Sequence, residues 1–346
     1  MTRNCSVFSR FFLACLLGLL AAAQSALALA EHPIKTHQDV QWAQPKGFPL
    51  TLDIHVPDTG KKRYPVLIIY HGGGWLVNTN RIMDDMARYM AANGELVVVN
   101  VNYRLLGDVN NTTTMNEIVE DALGAVLWVK DNIKRYGGDP KKIAVTGDSA
   151  GGHLAAMVVM TGRHLESDGF AGDSLGFNPT YLPAKKTAEK VARRDGARVQ
   201  AAILSYSAFD IAAAARGGFE SPNNPFWQWG NAAARGLFGA GVSLESRPDF
   251  YEAASPLNYI PQAKKYRLPP QFVLVGSNDQ LTTPESAKDY VEKVTAAGHK
   301  AELKIYPGRG HGYLDSGCNE YTGGCFKDLA TETLDDMIAF LNRVLR

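Results

Sequence analysis

Lys142-Ile-Ala-Val-Thr146-Gly147-Asp148-Ser149-Ala150-Gly151-Gly152-His-Leu-Ala-Ala-Met-Val-Val-Met160 decides how this chain is read. An apolar run short enough for a buried strand leads into a serine flanked by glycines, and a helix-like apolar stretch follows. A G-x-S-x-G pentapeptide in that setting holds serine on a sharp strand-to-helix turn, where side chains larger than glycine would collide. The pentapeptide alone is a weak signal, and the chain contains it twice: the second copy is Gly172-Asp173-Ser174-Leu175-Gly176. No strand-like run precedes Ser174, so it is read as an ordinary loop serine and Ser149 as the candidate nucleophile.

Moving outward, Val66 to Tyr70, Glu95 to Val101, Val199 to Leu204, Gln271 to Val275 and Ala301 to Tyr306 are further short, mostly apolar runs. Such runs suit parallel strands covered by helices on both faces. Leu50, Leu52, Ile54 and Val56 alternate with polar residues, which predicts a half-exposed strand before them. Between the runs lie helical patterns, clearest at Ile118, Ala122, Ala125, Val126, Val129 and Ile133, which share a face at 3.6-residue periodicity. Others cover 81–92, 150–161, 284–297 and 328–345. Strands alternating with helices predict a doubly wound α/β sheet, mostly parallel and flanked by helices. Residues 163–198 and 210–262 are too long for ordinary connections. Each follows a strand whose carboxyl end should face the site, so both are expected to be cap or pocket-wall insertions.

Ester cleavage needs a base for the nucleophile, an acid to orient that base, and donors for the developing oxyanion. The base is expected after the last strand, and His311 in Pro307-Gly-Arg-Gly-His311-Gly312 stands there; His299 precedes that strand and belongs to the opposite edge. Asp279, just past the Gln271 to Val275 run, is the expected acid, and Asp315, only four residues from His311, its rival. His71-Gly72-Gly73-Gly74-Trp75 follows the Val66 to Tyr70 strand, and the N–H groups of Gly73 and Gly74, with that of Ala150, are the expected oxyanion donors. Trp75, Trp227 and Trp229 are candidates for an acyl pocket or for the core.

The whole chain has 346 residues, 45% hydrophobic and 21% charged, with a formal charge of +1 and no block of like charges. That balance gives nucleic acid or an anionic membrane surface no electrostatic hold and favours a small, fairly neutral substrate. Residues 1–30 read as a secretory signal: Arg3 and Arg10 precede the apolar run Phe11 to Ala23, and Ala28-Leu29-Ala30 suits cleavage. The apolar run is shorter than the ~20 residues that span a bilayer. The expected mature domain, 31–346, is therefore exported, periplasmic or secreted, with no stable membrane insertion. It retains Cys318 and Cys325, which an oxidising compartment allows to pair, closing a short loop for about 2 kcal/mol. Their spacing does not match a zinc pair.

Together His71 to Trp75, Asn102-Tyr103-Arg104-Leu105 and Gly147 to Gly152 resemble the bacterial hormone-sensitive-lipase-like carboxylesterases of the α/β-hydrolase superfamily. The acid segment Gly276-Ser-Asn-Asp279-Gln280 departs from that family's Asp-Pro-Leu-x-Asp and looks like that of feruloyl and acetyl-xylan esterase-type relatives. The resemblance implies a serine carboxylic-ester hydrolase working through Ser149, His311 and Asp279 and an acyl-enzyme, on short-chain or aryl esters, with no cofactor or metal. Two other readings share the residues. Aryl formamidases resemble the chain at the His71 motif, and receptor relatives keep the fold for ligand binding without catalysis.

Overall fold

A computed structural model describes residues 32–345; the expected signal segment lies outside the described residues. The described chain builds an eight-stranded sheet: β1 (Ile34–Ala43), β2 (Leu50–Pro57), β3 (Tyr64–Tyr70), β4 (Val97–Val101), β5 (Gly138–Asp148), β6 (Ala201–Ser205), β7 (Gln271–Gly276) and β8 (Ala301–Tyr306). The spatial order is β1-β2-β4-β3-β5-β6-β7-β8. From β4 to β8 all neighbours run parallel, while β1 on β2 and β2 on β4 are antiparallel. This is the α/β-hydrolase architecture. Because β3, β5, β6, β7 and β8 are parallel, the loops leaving their carboxyl ends gather at one edge of the sheet, where open α/β sheets bind ligands.

Helices cover both faces, as the apolar strands require. β3 and β4 carry Val66, Leu67, Ile68, Ile69, Val97, Val98 and Val99, all without exposed surface. The helix Met115–Asn132 lays Ile118, Ala122, Ala125, Val126 and Val129 into that core, and Glu117 reaches back to the Thr114 N–H at 3.0 Å to close its first turn. The helix Ala150–Thr161 is buried along its whole length, which explains its apolar sequence. Asp84–Gly94 and Thr331–Leu345 pack together on one side, and Pro284–Ala296 lies against β7 and β8.

β2 departs from the half-exposed strand its alternation predicts, since its polar residues Asp53 and His55 are as buried as Leu52 and Ile54. The reason is β1, a strand of mixed character at the sheet edge. Its Asp39 N–H donates to Asp53 Oδ1 at 2.7 Å, and Thr36 Oγ1 lies 3.0 Å from His55 Nδ1. Polar partners on a neighbouring strand let polar side chains stay buried.

The two long insertions fall in different places. Residues 163–198 hold a short helix, Ala188–Arg193, and dock on the Met115–Asn132 helix, where the Thr180 N–H donates to Glu120 O at 3.1 Å and Thr180 Oγ1 bonds Asp121. Residues 210–262 carry the short helices Ile211–Arg216, Pro225–Trp229 and Pro248–Ala253, and this segment reaches Ser149.

Candidate active site

Ser149 occupies the turn between β5 and the Ala150–Thr161 helix with φ 52° and ψ −116°, a backbone conformation that is strained for a non-glycine residue. The flanking glycines make the turn possible. A Cβ on Gly147 would sit 2.3 Å from Gly151 O, and one on Gly151 would sit 1.9 Å from Tyr70 O. The Ser149 N–H donates to Ser205 O at 3.0 Å, tying the turn to the end of β6.

Three chain-distant side chains meet at this turn. Ser149 Oγ lies 2.9 Å from His311 Nε2, and His311 Nδ1–H donates to Asp279 Oδ2 at 2.8 Å. Asp279 Oδ1 accepts from the Leu281 and Thr282 N–H groups, both at 2.9 Å, and Oδ2 from Thr282 Oγ1 at 3.1 Å. Burial alone would push the Asp279 carboxyl up, but the imidazole and these donors outweigh it and hold the group below its ordinary value. The loops bearing Asp279 and His311 are bonded to each other: Asn278 N–H to Arg309 O at 2.9 Å, Ser277 N–H to Tyr306 O at 2.9 Å, and Gly308 N–H to Ser277 Oγ at 2.8 Å. The Tyr206 ring stands edge-on to His311 at 5.0 Å.

The other candidates lie apart. Ser174 is exposed and bonds Glu166 on the first insertion. His299 is buried at the far edge, with Nε2 2.6 Å from Pro261 O. Asp315 is not behind the imidazole; it lines a cavity on the other side, together with Asp148.

The glycine loop after β3 is held by contacts that no local sequence signal announces. Gly73 and Gly74 take φ 117° and 59°, and the N–H groups of Leu76 and Val77 both return to Gly73 O at 3.0 Å. Tyr103 stacks on His71 with ring centroids 4.4 Å apart and donates its hydroxyl to His71 O at 2.5 Å. Burial pushes His71 down to about 4, so it is neutral. Trp75 Nε1–H donates to His153 Nδ1 at 3.2 Å, and His153 Nε2–H donates to Ala254 O at 2.8 Å, linking the loop, the helix after Ser149 and the second insertion. His153, also pushed down to about 4 by burial, can accept from Trp75 only because it is neutral.

Two cavities include Ser149 in their lining. One, of about 360 Å³, is walled by Trp75, Phe209, Phe219, Phe226 and Leu281 and lined also by Gly74 and Ala150. The other, of about 270 Å³, includes His311, Gly73, Asp148, Asp315 and Trp229. Trp227 belongs to neither. It is 1% exposed and packs in the core, donating Nε1–H to Phe219 O at 2.8 Å. Cys318 and Cys325 are joined in a disulfide that closes a small loop beside the His311 turn. Tyr321 and Thr322, inside that loop, lie within contact distance of a Cβ placed on Gly312.

Residues 52–294 match the BD-FAE family. Carboxylesterase NlhH of Mycobacterium tuberculosis is 28% identical over 262 residues, 76% of this chain and 70% of that one. Esterase LipQ of the same species is 28% identical over 258 residues, 73% of this chain and 52% of LipQ. The apo structure of Thermogutta terrifontis esterase 2 superposes with a TM-score of 0.63 at 22% identity, covering 91% of this chain and 95% of the other, a likeness of fold. With the family matched over most of its length, the chain belongs to the BD-FAE family, among the hormone-sensitive-lipase-like carboxylesterases of the α/β-hydrolase superfamily, and is a serine hydrolase.

Proposed function

We propose that this protein hydrolyses carboxylic esters of short-chain or aryl acids through a Ser149-His311-Asp279 triad. The observation that carries the reading is the unbroken hydrogen-bonded line from Ser149 Oγ through His311 to Asp279. Ser149 Oγ attacks the acyl carbon as its proton passes to His311 Nε2, giving a tetrahedral intermediate. The negative oxygen is received by the N–H groups of Gly73, Gly74 and Ala150. Ala150 opens a helix, whose first N–H groups have no intrahelical partner. Collapse expels the alcohol, which takes the proton from His311, and leaves the acyl-enzyme. Water, deprotonated by the same imidazole, then releases the acid. Asp279 holds the productive tautomer and stabilises the imidazolium.

The aromatic walls of the larger cavity suit an aryl or short acyl group. The disulfide is compatible with an exported enzyme, periplasmic or secreted. Initial rates on p-nitrophenyl esters from acetate to palmitate, with methyl ferulate, are expected to peak at short or aryl acids; a maximum at palmitate refutes the acyl assignment. Labelling by an organophosphonate is expected on Ser149 and on no other serine. Matched anilides, expected to be cleaved far more slowly than the esters, separate this reading from amide hydrolysis. Ligand binding without turnover requires Ser149 to stay unlabelled.

A further inference from the structure

Resting on the ester-hydrolase reading, the smaller cavity carries a statement about the alcohol half of the substrate. One imidazole serves both halves of acyl transfer, so the proton taken from Ser149 is returned to the leaving oxygen from His311 Nε2. The alcohol must therefore depart on the side that His311 faces. Of the two cavities that Ser149 lines, the one of about 270 Å³ has His311 in its wall and the larger one does not.

The chemistry of that wall is one-sided. Asp148 and Asp315 both line it, with Phe226, Trp229 and Tyr321, and among the described residues no lysine or arginine does. Asp148 is 2% exposed, and its Oδ1 is buried with no hydrogen-bond partner. Its other oxygen, Oδ2, would lie 2.3 Å from a Cβ on Gly72 and so is packed against that residue. A carboxyl oxygen buried without a partner is unfavourable, and positive charge nearby offsets that cost. Trp229 and Tyr321 are 61% and 62% exposed, large aromatic surfaces held at the cavity mouth instead of in the core. Carboxylates behind aromatic faces form the arrangement that receives an ammonium group, which gains ion pairing from the first and cation–π attraction from the second.

We infer that this cavity is a leaving-group subsite for cationic alcohols, in which an ammonium carried near the ester oxygen is received by Asp315, with the buried Asp148 carboxyl beside it, and faced by Trp229 and Tyr321. The acids' own state agrees with a missing counter-charge. Burial, with Asp315 beside it, pushes Asp148 well above the ordinary carboxyl range, and burial pushes Asp315 up to about 7.

The test compares butyrylcholine with 3,3-dimethylbutyl butyrate, its neutral isostere, and with glycerol 1-monobutyrate, at pH 8 on the disulfide-bonded enzyme. The ammonium ester is expected to show a kcat/KM about 10-fold above that of its isostere, in line with one desolvated ion contact. In Asp315→Asn that ratio is expected to fall to within about 3-fold of unity; taking both rates on one protein cancels general damage. Tetramethylammonium chloride is expected to inhibit p-nitrophenyl butyrate hydrolysis competitively where equimolar sodium chloride does not, a measurement that needs no variant. Equal rates on the two isosteres, a ratio unchanged by Asp315→Asn, no inhibition by tetramethylammonium, or a preference for the glycerol ester would each overturn the assignment. If Ser149 is labelled by phosphonate and the neutral esters turn over, that failure belongs to the subsite alone. If Ser149 stays unlabelled and no ester is hydrolysed, the hydrolase reading fails with it.

Discussion

At the scale of single residues, three acidic groups differ in what surrounds them, and their expected behaviour differs accordingly. Asp279 accepts from the imidazole and from two backbone N–H groups. Asp279→Asn keeps the shape but favours the wrong imidazole tautomer, so kcat is expected to fall by about 10⁴ in single-turnover assays. Because its folded pKa is depressed, Asp279 contributes stability at pH above its unfolded value, and that contribution is lost as pH falls through the folded value. Glu120 has the opposite sign. Buried in the Met115–Asn132 helix with the Asn178 N–H at 3.1 Å, it is pushed up to about 8, first by burial and then by Asp121 and Glu117. Its raised folded pKa gives stability that is complete below the unfolded value, near pH 4.5, and is lost as pH climbs toward 8. Glu120→Gln keeps the acceptor for Asn178 and has no proton to lose. Its Tm advantage over the wild type should therefore widen between pH 5 and pH 9 in thermal melts, and a constant difference would contradict the account. Asp121 is compensated by Arg104, which donates to it at 2.8 and 2.9 Å in a fully buried pair. Arg104→Met removes the counter-charge and leaves that buried carboxylate only the Thr180 hydroxyl and the residue-104 N–H as donors, and is expected to cost about 3–5 kcal/mol in denaturant unfolding.

At the scale of elements, the turn at Ser149 is where local sequence and tertiary packing agree most closely. A methyl group on Gly151 would meet backbone, which cannot swing aside as a side chain can. Gly151→Ala is expected to lower Tm by roughly 6–12 °C, following about 3 kcal/mol of strain, or to prevent folding outright. The buried strands and the long helices were legible because each has a period of its own: short, mostly apolar runs within β3 to β7, and one apolar stripe for Met115–Asn132. β1 was not legible. Ile-Lys-Thr-His-Gln-Asp-Val-Gln-Trp-Ala alternates poorly and owes its strand conformation to the partner β2, with register shifts along the way. The proposed triad could be ordered from sequence because topology assigns a base and an acid to the ends of particular strands. The Trp75–His153–Ala254 chain and the Tyr103–His71 stack could not, since they join residues far apart in sequence without a shared pattern. Likewise the length of 210–262 marked an insertion without saying that Phe219 and Phe226 line a cavity while Trp227 turns into the core.

At the scale of the whole molecule, the fold persists at 22% identity in Thermogutta terrifontis esterase 2, so what individualises this chain is set along the rim of its site. Part of that rim is the ring closed by Cys318 and Cys325, which carries Tyr321 to the mouth of the smaller cavity and sets Thr322 beside Gly312, next to His311. Replacing both cysteines with serine should remove about 2 kcal/mol and roughly 4–8 °C of Tm, and should alter kcat/KM between alcohols more than between acids. There is a practical corollary for anyone producing this enzyme. Oxidised and reduced preparations of the 31–346 domain differ in mass by two hydrogen atoms and are nevertheless expected to rank the same panel of esters differently. A free-thiol titration belongs beside every selectivity figure.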